Sequence, residues 1–172
     1  MIILPEARNA LNKLVARLVR IPFPLLAALL QLLLIGGELA IALLVSAAGV
    51  AMPASNIERQ LQFSPAFTYW SALLFAPIIE SLIIIAACKI ASKILPRVLA
   101  ALAVAIAFAL LHDMSGLPGY LVLFWVGFLF CAASELAIER HFSFRVRFWW
   151  LAVAHAIYNG CTMAIYFQVS AR

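Results

Sequence analysis

Glu80, His112, His155 and Asn159 are the polar side chains best placed to do chemistry in this chain, because each interrupts a run that is otherwise almost wholly apolar. The runs are Ala76-Pro77-Ile78-Ile79-Glu80, Phe108-Ala109-Leu110-Leu111-His112 and His155-Ala156-Ile157-Tyr158-Asn159. A carboxylate, two imidazoles and a carboxamide are costly to hold in hydrocarbon unless they face a protein interior, so they mark a candidate catalytic site. The carboxylate of Glu80, a better base in a low-dielectric cavity than in water, can take a proton from water and return it to a leaving group, while His112 holds or polarises that water. His155 and Asn159 can donate hydrogen bonds to a developing oxyanion, a contribution of about 3 kcal/mol per donor in known enzymes. The chemistry implied is hydrolysis by water, with no serine or cysteine nucleophile.

Spacing decides which of these groups can act together. His155 and Asn159 are four apart, so on a helix they share a face one turn apart and could address one oxygen atom. Phe108 and His112 have the same relationship, which sets an aromatic ring directly beneath an imidazole. Pro77, three residues before Glu80, weakens the helix ladder and is expected to bend its helix toward a neighbour.

The elements that position these residues follow from composition. With 67% apolar and 11% charged residues and a mean hydropathy of +1.10, the chain has more apolar surface than a soluble domain of its size could bury. The expected fold class is all-α: a polytopic membrane helix bundle of about five transmembrane helices in a single integral membrane domain, residues 1–172. Spans of about 20 residues, the length a hydrocarbon layer requires, fit near 24–50, 67–87, 98–111, 120–138 and 148–168, the third being short. Residues 1–22 read as a basic interfacial helix, with Leu4, Ala7, Leu11, Leu14, Val15 and Leu18 on one face and Arg8, Asn12, Lys13, Arg17 and Arg20 on the others. Its cations suit anionic headgroups of the bilayer rather than nucleic acid. The first apolar run is too long for a secretory signal and is kept as a span.

Basic residues also give the orientation. They gather before the first span, at Lys89, Lys93 and Arg97, and at Arg140, Arg145 and Arg147, while the alternate connections offer only Arg59 beside Glu58, and Asp113. The N-terminus is therefore expected inside and the C-terminus outside. Tyr69 with Trp70, and Trp149 with Trp150, are expected at the two interfaces.

Taken in this order on three spans, the motifs resemble those of the CAAX protease and bacteriocin-processing (CPBP) family of intramembrane proteases. That family is recognised by Glu-Glu-x-x-x-Arg, then Phe-x-x-x-His, then His-x-x-x-Asn or Asp. The likeness covers residues 71–166. It implies that Glu80 takes the place of the family's first glutamate, His112 its first catalytic histidine, and His155 with Asn159 its last motif. It further implies an intramembrane endopeptidase of the glutamate type, acting on a membrane-associated protein or peptide substrate in a prokaryotic cytoplasmic membrane, without a cofactor. The family's second glutamate and its arginine are replaced by Ser81 and Ile85. These positions are four apart, so the double change reads as removal of a structural ion pair that strands no charge in lipid.

Alternatives stay open at this point. Glu80, His112 and His155 could ligate zinc, with the bound water as nucleophile, although the His-Glu-x-x-His spacing is missing and Asn159 then has no role. A non-catalytic immunity or binding protein of the same fold is a second alternative, and a transporter a third, against which stands the lack of an inverted repeat. Cys88, Cys131 and Cys161 lack metal-type spacing and read as small core residues. Glu38 lies deep in the first span and needs a partner; Glu135, close to Arg140 and the inner interface, reads as a snorkelling or paired surface charge rather than a catalytic group. One depth disagrees: on straight helices Glu80 lies about 13 Å from Lys89 and His155 about 12 Å from Arg147, but His112 about 22 Å from Arg97.

Overall fold

A computed structural model describes residues 5–50, 64–112 and 116–170. Among these every regular element is helical: α1 (Pro5–Arg20), α2 (Phe23–Ala47), α3 (Pro65–Trp70), a π-helical turn (Ser71–Phe75), α4 (Ala76–Ala91), α5 (Arg97–Leu110), α6 (Leu117–Glu139) and α7 (Phe144–Ser170). Prolines set several starts, as their fixed φ and missing N–H allow only near a helix N-terminus. Pro24, Pro65, Pro77 and Pro118 occupy first-turn positions, and Pro96 precedes α5. The connection containing Arg59 and Glu58, and Asp113, lie outside the described residues.

Helix ends follow local rules. After α6 the chain reverses through His141 at φ 57°, with Phe142 N–H donating to Ala137 O at 3.0 Å, a Schellman closure usually made with glycine. The remaining histidine of the chain, His141, therefore serves a turn.

Helix α6 is the centre of the bundle and packs against α2, α4, α5 and α7. Its buried residues include Val126, Phe130, Cys131 and Ala137. Helix α2 gives only the stripe Leu26, Leu30 and Leu34 to the core, leaving Leu25, Leu32, Leu39, Leu43 and Leu44 exposed. Apolar side chains are exposed on this scale where the surrounding medium is lipid.

Three helical segments are long and apolar enough to cross a membrane: Phe23–Ala47, Ala66–Ala91 and Leu117–Glu139. The expected third span is a helix of only 14 residues, about 21 Å long, and α7, though long, carries Arg145, Arg147, His155, Asn159 and Gln168. Of the two tryptophans expected at an interface, Trp149 is exposed and Trp150 is buried against Phe23 and Phe142. Glu135 faces Arg97 at 3.8 Å rather than Arg140, whose guanidinium donates to Ile21 O.

Candidate active site

The site begins with a defect in the helix that carries Glu80. Pro77 has no N–H to offer, and the preceding turn widens, so that Ala76 N–H donates to Ser71 O, five residues back. Ala72 O is thereby left without a backbone donor: Ala76 has turned elsewhere and Pro77 cannot supply one. The Asn159 side-chain amide fills the gap, donating to Ala72 O at 2.7 Å. A residue expected to face a reacting oxygen thus holds the last helix to the widened turn, with one amide hydrogen remaining.

Beyond this turn three side chains from three helices converge. Glu80 on α4 has Oε1 3.8 Å from His112 Nε2 and Oε2 3.7 Å from His155 Nε2 on α7. His112 nevertheless meets Glu80: α5 ends at Leu110, and His112 sits in the turn that follows, where its N–H reaches Ala109 O.

Each imidazole is held by its surroundings. His112 Nδ1 lies 2.7 Å from Phe108 O, and since a carbonyl only accepts, Nδ1–H is the donor and the Nε2 lone pair of the neutral ring faces Glu80. The Phe108 ring stands 4.5 Å from the imidazole, as the four-residue spacing predicts. Phe108 can sit there because Gly127 faces it; a Cβ on Gly127 would lie 2.9 Å from the ring. His155 is buried, packs 4.7 Å from the Phe130 ring, and has a buried Nδ1 without a partner. The proton of neutral His155 then belongs on Nε2, where it meets the carboxylate.

With His112 neutral, Glu80 and His112 present two acceptors, neither bonded to the other. A water oxygen about 2.8 Å from each of two atoms 3.8 Å apart would subtend about 85°, near enough to its own bond angle to donate to both. Such a water is oriented with its lone pairs outward, as attack requires. The side chains of Glu80 and His112 are 24% and 26% exposed while that of His155 is 5% exposed, so access lies on the His112 side.

His155 and Asn159 share a face of α7 but reach different partners. Between them Tyr158 donates to Glu38 Oε2 at 2.8 Å, which supplies the partner Glu38 requires. Ser81 and Ile85, where the family pattern has its ion pair, are both buried. Charge instead pairs nearer the helix ends, where Arg97 joins Glu139 and Glu135 of α6. Cys88 and Cys131 are free and buried with their thiols facing each other. Among the described residues no group of three or more His, Cys, Asp or Glu is arranged to hold a metal ion; each imidazole faces a different oxygen of Glu80.

Sequence reading did not find the Asn159–Ala72 link, the Glu38–Tyr158 pair or the seat that Gly127 gives Phe108. The first was signalled by Pro77, whose missing N–H leaves a carbonyl without its donor wherever helical backbone continues before the proline. Comparison with family models, with curated proteins and with solved structures finds no match to this chain.

Proposed function

We propose that this protein is an intramembrane endopeptidase that hydrolyses a peptide bond of a membrane-associated protein or peptide. The observation that carries the reading is the meeting of Glu80, His112 and His155, from three separate helices, at 3.7 to 3.8 Å. Glu80 and His112 bind and orient a water between them. Glu80 takes its proton as the water oxygen attacks the carbonyl carbon, and delivers it to the leaving amine. His155 Nε2–H, with the remaining amide hydrogen of Asn159, stabilises the oxyanion. The likeness of the motifs to the CPBP family supports the same assignment.

In this reading α5 and α7 cross the membrane together with the three longer segments, giving five spans, with α1 on the inner surface and the N-terminus inside. The test is capture followed by cleavage. The Glu80→Gln protein is purified with whatever it retains, and the retained protein is presented to the wild-type enzyme in liposomes. Cleavage by the wild type alone supports the proposal; an intact partner in both reactions identifies a binding protein instead. Cleavage should also persist after exhaustive chelation. Loss on chelation and recovery on adding zinc would transfer the attacking water to a metal.

A further inference from the structure

Away from the trio, charge gathers at the opposite end of the same helices. Lys89 of α4, Arg97 of α5 and Arg147 of α7, with Ser92, Ser134 and Glu135, line a cavity of about 190 Å³. Arg97 is balanced, since it joins Glu139 and faces Glu135. Among the described residues neither Lys89 nor Arg147 comes within ion-pair distance of a carboxylate, although Arg147 lies near enough to Glu135 for the two charges to interact. Arg147 Nε is buried and lacks any hydrogen-bond partner, while its guanidinium lies 5.9 Å from the Phe144 ring centre. A buried guanidinium N–H without an acceptor is costly, and it points to an acceptor supplied by a ligand.

We propose that this cavity binds a phosphate group, carried by an anionic lipid headgroup or free in solution. Cations arriving from three helices match a tetrahedral oxyanion better than a planar carboxylate, which one guanidinium fork already satisfies. On the five-span reading proposed above, the cavity is also at headgroup depth: Lys89 is nine residues from Glu80, about 13 Å along the helix and two residues from its end. Basic pockets between helices on the cytoplasmic side are a recurrent form of headgroup recognition. This site is separate from the basic surface of α1. The three helices that supply its cations also lead to Glu80, His112 and His155, so a bound phosphate ties together the elements that set the spacing of the trio.

Thermal melting of the full-length protein in detergent provides the test. Inorganic phosphate is titrated against sodium chloride at equal ionic strength, and phosphatidylglycerol against phosphatidylcholine in mixed micelles. Phosphate or phosphatidylglycerol should raise Tm beyond its control, with affinity at least tenfold weaker in Lys89→Gln and Arg147→Gln, and with the affinity for inorganic phosphate unchanged in Arg17→Gln. Lys89 is exposed, so its variant keeps the test decisive if Arg147→Gln does not fold. A full response to phosphate alone assigns the site to the free anion, and a response confined to phosphatidylglycerol assigns it to the headgroup. Equal responses to chloride, equal affinities in the cavity variants and wild type, or a loss that follows Arg17→Gln instead would overturn the proposal.

Discussion

Glu80 stands 3.8 Å from His112 and 3.7 Å from His155, outside hydrogen-bond contact with either, whereas Arg97 at the other end of the same bundle closes directly on Glu139. Both regions place ionisable groups among apolar helices. In one they neutralise each other across α5 and α6. In the other they are held by third parties, Phe108 O for His112 and the walls of the bundle for His155, and the space between them is left for something else. Groups that complete each other hold a structure together; groups oriented without being completed are what a reactive site needs.

The sharpest way to break that contrast is to neutralise one member of each region. Glu80→Gln should lower hydrolysis by about a thousandfold or more, roughly 4 kcal/mol of transition-state stabilisation, while changing Tm little. Arg97→Gln should do the reverse. Because the Arg97 side chain is 60% exposed, the loss should be about 1 kcal/mol of stability or less, with cleavage kept within a few-fold. Abolished cleavage in Arg97→Gln at unchanged Tm would show that the ion-paired end belongs to the catalytic apparatus.

Two glycines refine the comparison at smaller effect. A methyl at Gly127 meets the Phe108 ring at 2.9 Å, and one at Gly37 overlaps the Trp125 indole. Either change should cost about 1 to 3 kcal/mol through overpacking. Gly127→Ala should also reduce cleavage, because Phe108 holds His112 by its ring and its carbonyl. Gly37→Ala displaces an indole whose bond is to Leu33 O on α2, so it should lower Tm and spare turnover at temperatures where the protein is folded. Equal losses of turnover from both would mean that the trio depends on general packing rather than on its own supports.

How much of this was legible beforehand depends on the range of each interaction. Composition and the polar interruptions marked the class of fold and brought Glu80, His112 and His155 forward, because burying such groups carries a penalty visible in any sequence. The stacking of Phe108 on His112 was legible because it is local to one helix. The partners of Glu38 and Glu135 were not, since Tyr158 and Arg97 lie 120 and 38 positions away and helix rotation decides which faces meet. The apolar run at 98–111 was legible almost to the residue, as a helix over Arg97–Leu110, with His112 in the turn just beyond it. Trp150 was assigned to an interface by its residue type alone, but packing against Phe23 turned it inward.

The role of Asn159 gives the finest test of the contrast, because its one resolved bond is structural although its neighbour His155 faces the carboxylate. If the bond to Ala72 O exists to satisfy a carbonyl that Pro77 orphaned, Asn159→Ala should cost about 1 to 3 kcal/mol by leaving that carbonyl buried and unpaired. Pro77→Ala restores an N–H at that place in the ladder and lets the widened turn relax toward a regular helix. In that background the cost of Asn159→Ala should shrink, a coupling of about 0.5 to 2 kcal/mol in a double-mutant cycle on unfolding free energy. Turnover measured on the same four proteins separates the two duties of the amide. A stability coupling with turnover restored in the double variant makes Asn159 a clamp alone. A stability coupling with turnover still depressed leaves the second amide hydrogen at the oxyanion, where the proposed mechanism puts it.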